Sequence, residues 1–308
     1  MNNPNVRDYF VARALRILPG FYICLLVTAF VIAPVSVAIR GGSPMQLILS
    51  GAPLEYVFKN AAVAFVKFDV GGTPTGIPDA GDWDASLWSL IWEVMCYLIV
   101  GVIGVVGLAS RRWVSPAILA LATAGALLMP AITFPEVSHH PGGDARTALI
   151  FLACRTAIMF SAGALLYQWR DVIPARWSLV AVSIVVVILA GRLPDYRVIA
   201  AGPLAYAIVV SGTLLQHRRL RLRTDISYGM YIYAYPVQQL LAVSGLFNMN
   251  RLLIFSVVSM ATVPLAFASW FLVEKPARAL KHRFGPKRSG AGKQPLTVLP
   301  PDFRGMAH

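Results

Sequence analysis

The sequence predicts an all-α membrane protein: a bundle of eight membrane-spanning helices with both termini in the cytoplasm. Hydrophobic residues make up 57% of the 308 residues and charged residues only 13%, whereas about 25% of residues are charged in a typical soluble domain. The mean hydropathy is +0.65. Apolar residues occur in stretches long enough to cross a bilayer, and basic residues cluster in alternate connecting segments.

Eight apolar stretches qualify as spans, because about 20 helical residues cross roughly 30 Å of hydrocarbon. They are residues 17–39, 87–108, 113–133, 147–167, 177–191, 198–215, 226–246 and 252–273. The fifth is short, but Trp177 and Arg192 can lie at the two interfaces. The prolines within spans should kink these helices without ending them, since neighbouring helices satisfy the freed carbonyl groups. Three of these prolines are Pro130, Pro236 and Pro264.

A ninth apolar stretch, 47–68, contains a proline and three charged residues. We interpret it as interfacial or re-entrant, within a long outer loop (40–86) that forms a cap or lid. With this choice, 19 of the 27 Lys and Arg residues lie in the cytoplasm, seven lie outside and Arg155 lies within a span. Such a bias is typical of multi-pass proteins. Orientation therefore explains the net charge of +13, and no nucleic-acid partner is expected.

The predicted spans divide the chain into three parts. Residues 1–16 form a cytoplasmic N-terminal segment, residues 17–273 form the transmembrane domain, and residues 274–308 form a basic cytoplasmic tail. The tail is rich in Gly, Pro and basic residues from residue 285 onward, so we expect disorder there.

The cysteines and histidines form no metal or catalytic motif. The cysteines lie within spans, in an odd number and without metal-ligand spacing, so we interpret them as packing residues and expect no metal. The histidines lie in loops or in the tail, so none is placed to act within the membrane. These residues are Cys24, Cys96, Cys154, His139, His140, His217, His282 and His308.

Two ionisable residues stand at bilayer depth, where each costs at least about 2.5 kcal/mol on insertion scales. Glu93 lies about two turns into its span from the outer side, with Ser89 one turn away on the same face. Arg155 lies at a similar depth in another span. A Glu93–Arg155 pair would be a structural ion pair that holds two helices together. Alternatively, Glu93 lines a polar cavity and orients a base or binds an acceptor hydroxyl. The sequence leaves both interpretations open.

Two further patterns are polar where lipid contact favours apolar residues. Arg13 and Arg16 lie three residues apart just before the first span, so they could hold a phosphate together or contact lipid phosphates. Tyr228, Tyr231 and Tyr235 recur on one helix face. An interfacial aromatic belt accounts for the first tyrosine, whereas a polar groove better accounts for the deeper ones.

Five segments together resemble the integral membrane acyltransferase family 3, which includes O-acetylases of O-antigen and other cell-envelope polysaccharides. They follow the family's order along the chain. The segments are RALRILP at 13–19, SLWSLIWE at 86–93, FSAGALLY at 160–167, ISYGMYIY at 226–233 and WFLVEKP at 270–276.

The resemblance implies transfer of an acyl group, usually acetyl, from cytoplasmic acyl-CoA to a sugar hydroxyl at the cell membrane. It implies that Arg13 and Arg16 bind the phosphates of CoA and that Glu93 is a supporting carboxylate. The remaining candidate residues would line the substrate cavity. They are Trp88, Ser89, Arg155, Ser227, Tyr228, Tyr231 and Tyr235.

One departure from the family matters for activity. The resemblance implies ten spans and a histidine base in the first of them, whereas this chain begins at the family's third helix. We therefore expect an N-terminally shortened protein that binds its donor weakly and turns over slowly or not at all. The alternatives are a transporter or flippase of a lipid-linked sugar, and an inactive structural remnant. The sequence does not specify the acceptor, the acyl chain length or the oligomeric state.

Overall fold

A computed structural model describes residues 6–64, 66–128, 145–193, 195–215, 224–246 and 250–280. These residues form an all-helical protein, as the sequence predicts. The predicted disorder from residue 285, the five histidines and the end of the third span (129–133) lie outside the described residues.

Each predicted span coincides with a helix. The helices are α1 (Val6–Ile39), α2 (Pro44–Leu49), α3 (Ala52–Asn60), α4 (Ala85–Val105), α5 (Val114–Leu128), α6 (Ala145–Gln168), α7 (Trp177–Ala190), α8 (Tyr196–Leu214), α9 (Ser227–Val243) and α10 (Arg251–Ala279). Among the described residues, five helices are long and apolar enough to cross a membrane: α1, α4, α6, α8 and α10. The chain is therefore a membrane protein. The number of eight spans and the cytoplasmic termini stay predictions.

Helix α1 begins earlier than the predicted span. It starts at Val6 rather than residue 17, and with 34 residues it is about 51 Å long. The hydropathy pattern missed the first turns because they carry charged residues. Pro19 lies within the helix without ending it, and a π-helical turn (Thr28–Ile32) interrupts its regular winding. Arg13 and Arg16 thus lie on the same continuous helix as the first predicted span, and the cytoplasmic location of residues 1–16 stays a prediction.

Among the described residues of the stretch 47–68 there is no helix long enough to span a membrane, as the sequence predicts. Its helices, α2 and α3, have six and nine residues. At 1.5 Å per residue neither could cross the hydrocarbon of a bilayer. Each has a proline in its first turn, where a missing N–H costs no hydrogen bond.

The described residues divide into two compact units. Unit 1 lies within Met1–Gly101 and Arg223–Lys287, and unit 2 lies within Val102–Leu222 and Arg288–His308. The core of unit 1 is built on α1, the outer loop and the start of α4. Its fully buried large side chains include Phe21, Leu25, Tyr56, Trp83, Leu87, Leu90 and Ile232.

The outer loop is fastened to unit 1 by buried polar side chains. The amide oxygen of Asn60 accepts hydrogen bonds from the N–H groups of Val66 and Lys67. From α9, Gln239 Nε2 donates to the carbonyl oxygens of Asp79 (2.9 Å) and Asp82 (2.7 Å). Each of these bonds satisfies a loop backbone group that would otherwise be costly to bury. These bonds hold the described residues of the outer loop in place within unit 1. We name this loop the cap, and its predicted role as a cap or lid stays a prediction.

Asp84 fixes the end of this cap where α4 begins. Its side chain is fully buried, and the hydroxyl of Tyr56 donates to Asp84 Oδ2 at 2.5 Å. Burial raises the pKa of Asp84 to about 7, although the bond from Tyr56 acts in the opposite direction. Burial likewise raises the pKa of Asp82 to about 6.

We expect the stability of unit 1 to fall as the pH rises from about 4 to 7. A carboxyl whose folded-state pKa is raised binds more protons in the folded state, so its contribution is complete at low pH and is lost as it ionises. Asp84→Asn should flatten this fall, as measured by thermal unfolding in detergent at several pH values. Glu55→Gln is the control, because Lys59 lowers the pKa of that exposed carboxyl. Identical profiles for Asp84→Asn and the wild type would contradict the prediction.

Unit 2 packs α5 against α6, and α8 against both α6 and α7. Small residues form one of its cores: Ala122, Ala126, Ala162 and Ala201, with Ile158. Lipid tails are as apolar as these side chains, so membrane helices associate by close packing, which small residues allow. Cys154 contacts Gly125 in this core, and all three cysteines are free thiols.

Candidate functional site

The first feature of the site is the face of α1 that carries Arg13 and Arg16. Both side chains are half-buried, and their spacing places them on one side of the helix. The Arg13 guanidinium lies 5.5 Å from the ring centroid of Tyr9 and 4.7 Å from that of Tyr97. Within the described ranges, neither arginine forms an ion pair with a carboxylate. No described carboxylate therefore occupies the N–H donors of either guanidinium, although the charge of Arg16 acts on Asp225.

Tyr97 joins Arg13 to Glu93. Its ring lies against the guanidinium, and its hydroxyl donates a hydrogen bond of 2.5 Å to Glu93 Oε1. Tyr97 and Glu93 are one turn apart on α4, so their contact is local, whereas the contact with α1 is tertiary. The hydroxyl of Tyr9 also donates to the backbone carbonyl of Tyr97 at 3.4 Å.

A second group of charges lies where α9 begins. Asp225 accepts hydrogen bonds from the hydroxyl of Ser227 (2.6 Å) and from Arg278 Nη2 (3.1 Å). Burial raises the pKa of Asp225, but these two bonds and the charges of Arg278 and Arg16 outweigh it and hold the pKa below its usual range. Asp225 is therefore ionised, and Arg16 lies within range of its field. Ser227, a predicted cavity residue, is exposed, and its hydroxyl is used in the bond to Asp225.

Ser89 and Tyr231 meet between α4 and α9. Their hydroxyl oxygens are 2.6 Å apart, and the hydroxyl of Tyr231 donates to the carbonyl of Ser86. Because Tyr231 has one proton to donate, Ser89 is the donor to Tyr231. Ser89 ends the 3₁₀-helical first turn of α4 (Ala85–Ser89), about one turn before Glu93, and the half-buried Trp88 is adjacent to Ser89. The structure thus brings Ser89, Glu93 and Tyr231 into one region of unit 1.

The other two tyrosines of α9 have distinct environments. Tyr228 is buried, and its hydroxyl donates to the carbonyl of Ile17 on α1 at 2.8 Å. Tyr235 is half-buried near Gln239, whose amide holds the cap. Tyr228 therefore fixes α9 to α1. The polar groove predicted along this face stays a prediction.

Arg155 lies in unit 2. Its guanidinium lies 3.7 Å from the ring centroid of Phe151, and its Nη2 lies 3.5 Å from Asp195 Oδ1. Each member of the predicted Glu93–Arg155 pair has a partner within its own unit, Tyr97 for Glu93 and Asp195 for Arg155. The pair itself stays a prediction.

Sequence reasoning missed Tyr97, and it gave Glu274 no role beyond its place in the segment 270–276. The i, i+4 spacing of Tyr97 from Glu93 was a usable signal, but tyrosines are common in membrane helices and the contact with Arg13 depends on tertiary packing. Glu274 is fully buried at the end of a π-helical turn (Trp270–Glu274) and accepts a hydrogen bond from Ser269 at 3.0 Å. No described residue provides a hydrogen bond to its Oε2.

The arrangement offers an anion site beside a carboxylate. Two guanidinium groups on one face suit a phosphate, which accepts charge-assisted hydrogen bonds from both. A carboxylate beside a second polar group suits a hydroxyl, because it accepts the hydroxyl proton in a strong hydrogen bond. Both features lie within unit 1.

Two proteins of known name are similar to this chain. An O-acetyl transferase of Shigella phage Sf6 is 24% identical over 286 residues, which cover 87% of this chain and 76% of the phage protein. Nodulation protein 10 of Rhizobium leguminosarum bv. viciae is 24% identical over 297 residues, covering 91% of this chain and 78% of the nodulation protein. No solved structure matches the chain.

The family comparison covers most of the sequence. Residues 1–271 match the family model of the acyltransferase domain that defines acyltransferase family 3. The matched region includes α1, with its arginine pair, and α4, with Glu93. The chain therefore belongs to acyltransferase family 3 and is a membrane acyltransferase.

Proposed function

We propose that this acyltransferase moves an acyl group, most simply acetyl, from acyl-CoA to a hydroxyl of a cell-envelope carbohydrate. The observation that carries the proposal is the arginine pair of α1, half-buried and without an ionic partner among the described residues. The phage relative, which is named an O-acetyl transferase, supports the acetyl group and the hydroxyl acceptor.

In the proposed reaction, the acceptor oxygen forms a bond to the thioester carbonyl carbon and the carbon–sulfur bond breaks. The hydroxyl proton finally resides on the sulfur of CoA. Arg13 and Arg16 bind the phosphates of the donor, and Glu93 binds the acceptor hydroxyl or orients the base that removes its proton. Trp88, Ser89, Tyr231 and Tyr235 line the acceptor side. Because slow turnover is expected of this chain, each rate is compared with that of the wild-type chain.

Neutralising the arginine pair tests the donor site. We expect Arg13→Gln and Arg16→Gln each to weaken acetyl-CoA binding about tenfold, and the double variant to weaken it further, because each charged hydrogen bond to a phosphate contributes roughly 1.5–3 kcal/mol. Equilibrium dialysis of the detergent-purified chain measures this. Affinity for acetyl-pantetheine, which lacks the nucleotide phosphates, should not change.

The exposed Arg111 provides a matched control, since it also lies in a segment predicted to be cytoplasmic. Arg111→Gln should bind acetyl-CoA like the wild type. If the arginines serve lipid phosphates instead, the variants will lose co-purifying anionic lipid and keep their acetyl-CoA affinity, which contradicts the proposal. Uptake of acceptor sugar by liposomes without any donor would favour a transporter.

A further inference from the structure

We infer that Tyr97 is a positioning residue that couples the donor site to the carboxylate, since its ring holds Arg13 and its hydroxyl holds Glu93. The inference rests on the proposed function, because it takes Arg13 as a phosphate ligand and Glu93 as the group beside the acceptor. Neither the family match nor the relatives assign a role to this tyrosine.

The geometry gives Tyr97 two independent contacts. The ring centroid is 4.7 Å from the Arg13 guanidinium carbon, and the hydroxyl oxygen is 2.5 Å from Glu93 Oε1. The first contact uses the face of the ring and the second uses the atom at its edge. A substitution can therefore remove the second contact and retain the first.

The ring contact suits an arginine that binds phosphate. A guanidinium held over an aromatic face is attracted by the ring quadrupole, which does not neutralise its charge. Its N–H donors lie in the guanidinium plane and stay available for bidentate bonds to a phosphate. An ion pair with a carboxylate would occupy those donors. Tyr97 and Tyr9 thus restrict Arg13 while leaving its hydrogen-bonding capacity to the donor.

The hydroxyl contact suits a carboxylate that binds another hydroxyl. The bond from Tyr97 occupies Oε1 and fixes the carboxylate plane, and no hydrogen bond from a described residue reaches Oε2. Tyr97 itself is held from the side of α1, because Tyr9 donates to its backbone carbonyl. Tyr97 therefore links the position of Arg13 to the plane in which Glu93 would receive the acceptor.

Tyr97→Phe and Tyr97→Leu separate the two contacts. We expect Tyr97→Phe to bind acetyl-CoA within about twofold of the wild type, since the ring remains, and to lower kcat about tenfold through loss of a hydrogen bond to a charged group. Tyr97→Leu should also weaken acetyl-CoA binding about fivefold, since it loses the ring. In a chain that already carries Glu93→Gln, Tyr97→Phe should have no further effect on kcat. In a chain that already carries Arg13→Gln, Tyr97→Leu should have no further effect on acetyl-CoA affinity.

An infrared difference spectrum reports the hydroxyl contact without turnover. The spectrum of wild type minus Tyr97→Phe should contain a carboxylate band that is absent when both proteins also carry Glu93→Gln. Tyr196→Phe is the control, because the ring of Tyr196 also lies near an arginine, 4.6 Å from Arg197. That variant should leave both affinity and kcat unchanged.

Two results would overturn the inference in distinguishable ways. A wild-type chain that binds and transfers acetyl, with kcat and carboxylate band unaltered in Tyr97→Phe, contradicts this inference alone. A wild-type chain that does not bind acetyl-CoA contradicts the proposed function and this inference with it. If the chain binds acetyl-CoA but transfer is too slow to measure, the carboxylate band decides. If Tyr97→Leu fails to fold, the effect of Tyr97→Phe with Glu93 present and with Glu93→Gln still tests the inference.

Discussion

Glu93→Gln is expected to lower acetyl transfer by about 100- to 1,000-fold, because acid–base groups of this kind contribute roughly 10²–10⁴ in rate. The amide has nearly the size of the carboxylate, so the packing around this position should be retained. What is lost is the negative charge that binds or helps deprotonate the acceptor hydroxyl. Steady-state transfer from acetyl-CoA measures the rate, and equilibrium dialysis measures donor affinity.

The two measurements should separate in this variant. Donor affinity should stay close to that of the wild type, since Arg13 and Arg16 are unchanged. Glu55→Gln is the control, because that carboxylate is exposed on the cap and forms an i, i+4 pair with Lys59. Retention of the wild-type rate by Glu93→Gln would exclude a role for this carboxylate in transfer.

Gly229→Val is expected to prevent stable folding of unit 1. A β-carbon at this position of α9 would lie 2.8 Å from the Cα of Ala266 and 3.1 Å from its carbonyl oxygen on α10. The obstacle is backbone, so the two helices must separate. Even Gly229→Ala should cost about 1–3 kcal/mol, the usual cost of overpacking, and valine should cost more. The midpoint of thermal unfolding in detergent measures the effect.

A second helical glycine provides the matched comparison. Gly212 on α8 has open space where a β-carbon would lie. Gly212→Ala should be neutral or stabilising by up to about 1 kcal/mol, because alanine is the better helix former. Equal losses of stability at both positions would contradict the prediction that Gly229 is required for the close approach of α9 to α10.

The helices were predictable because apolar length is a property of the sequence itself. The eight apolar stretches became helices, and the stretch 47–68 did not become a spanning helix. The predicted span 17–39 covers only part of α1, because a hydropathy window stops at charges, whereas a helix continues through them. The π-helical turns were missed because they depend on local packing and have no characteristic residue pattern in the sequence.

The site was predictable only as separate pieces. Arg13, Arg16 and Glu93 stood out because charge is costly near lipid, and the family resemblance gave them roles. Their connection through Tyr97 depends on which faces of α1 and α4 meet, which no single-helix pattern encodes. Asp84 also escaped notice, because a loop carboxylate looks solvated until the cap that buries it is known.

The π-helical turn of α1 (Thr28–Ile32) lies between two segments of this long helix and rotates the side-chain faces of one segment relative to those of the other. One additional residue per turn corresponds to about 100° of α-helical rotation. The arginine-bearing segment and the segment beneath the cap can therefore each face their own neighbours along one unbroken rod. In molecular evolution, the insertion or deletion of one codon at this turn would rotate Arg13 and Arg16 about the helix axis, while the segment that follows the turn keeps its contacts.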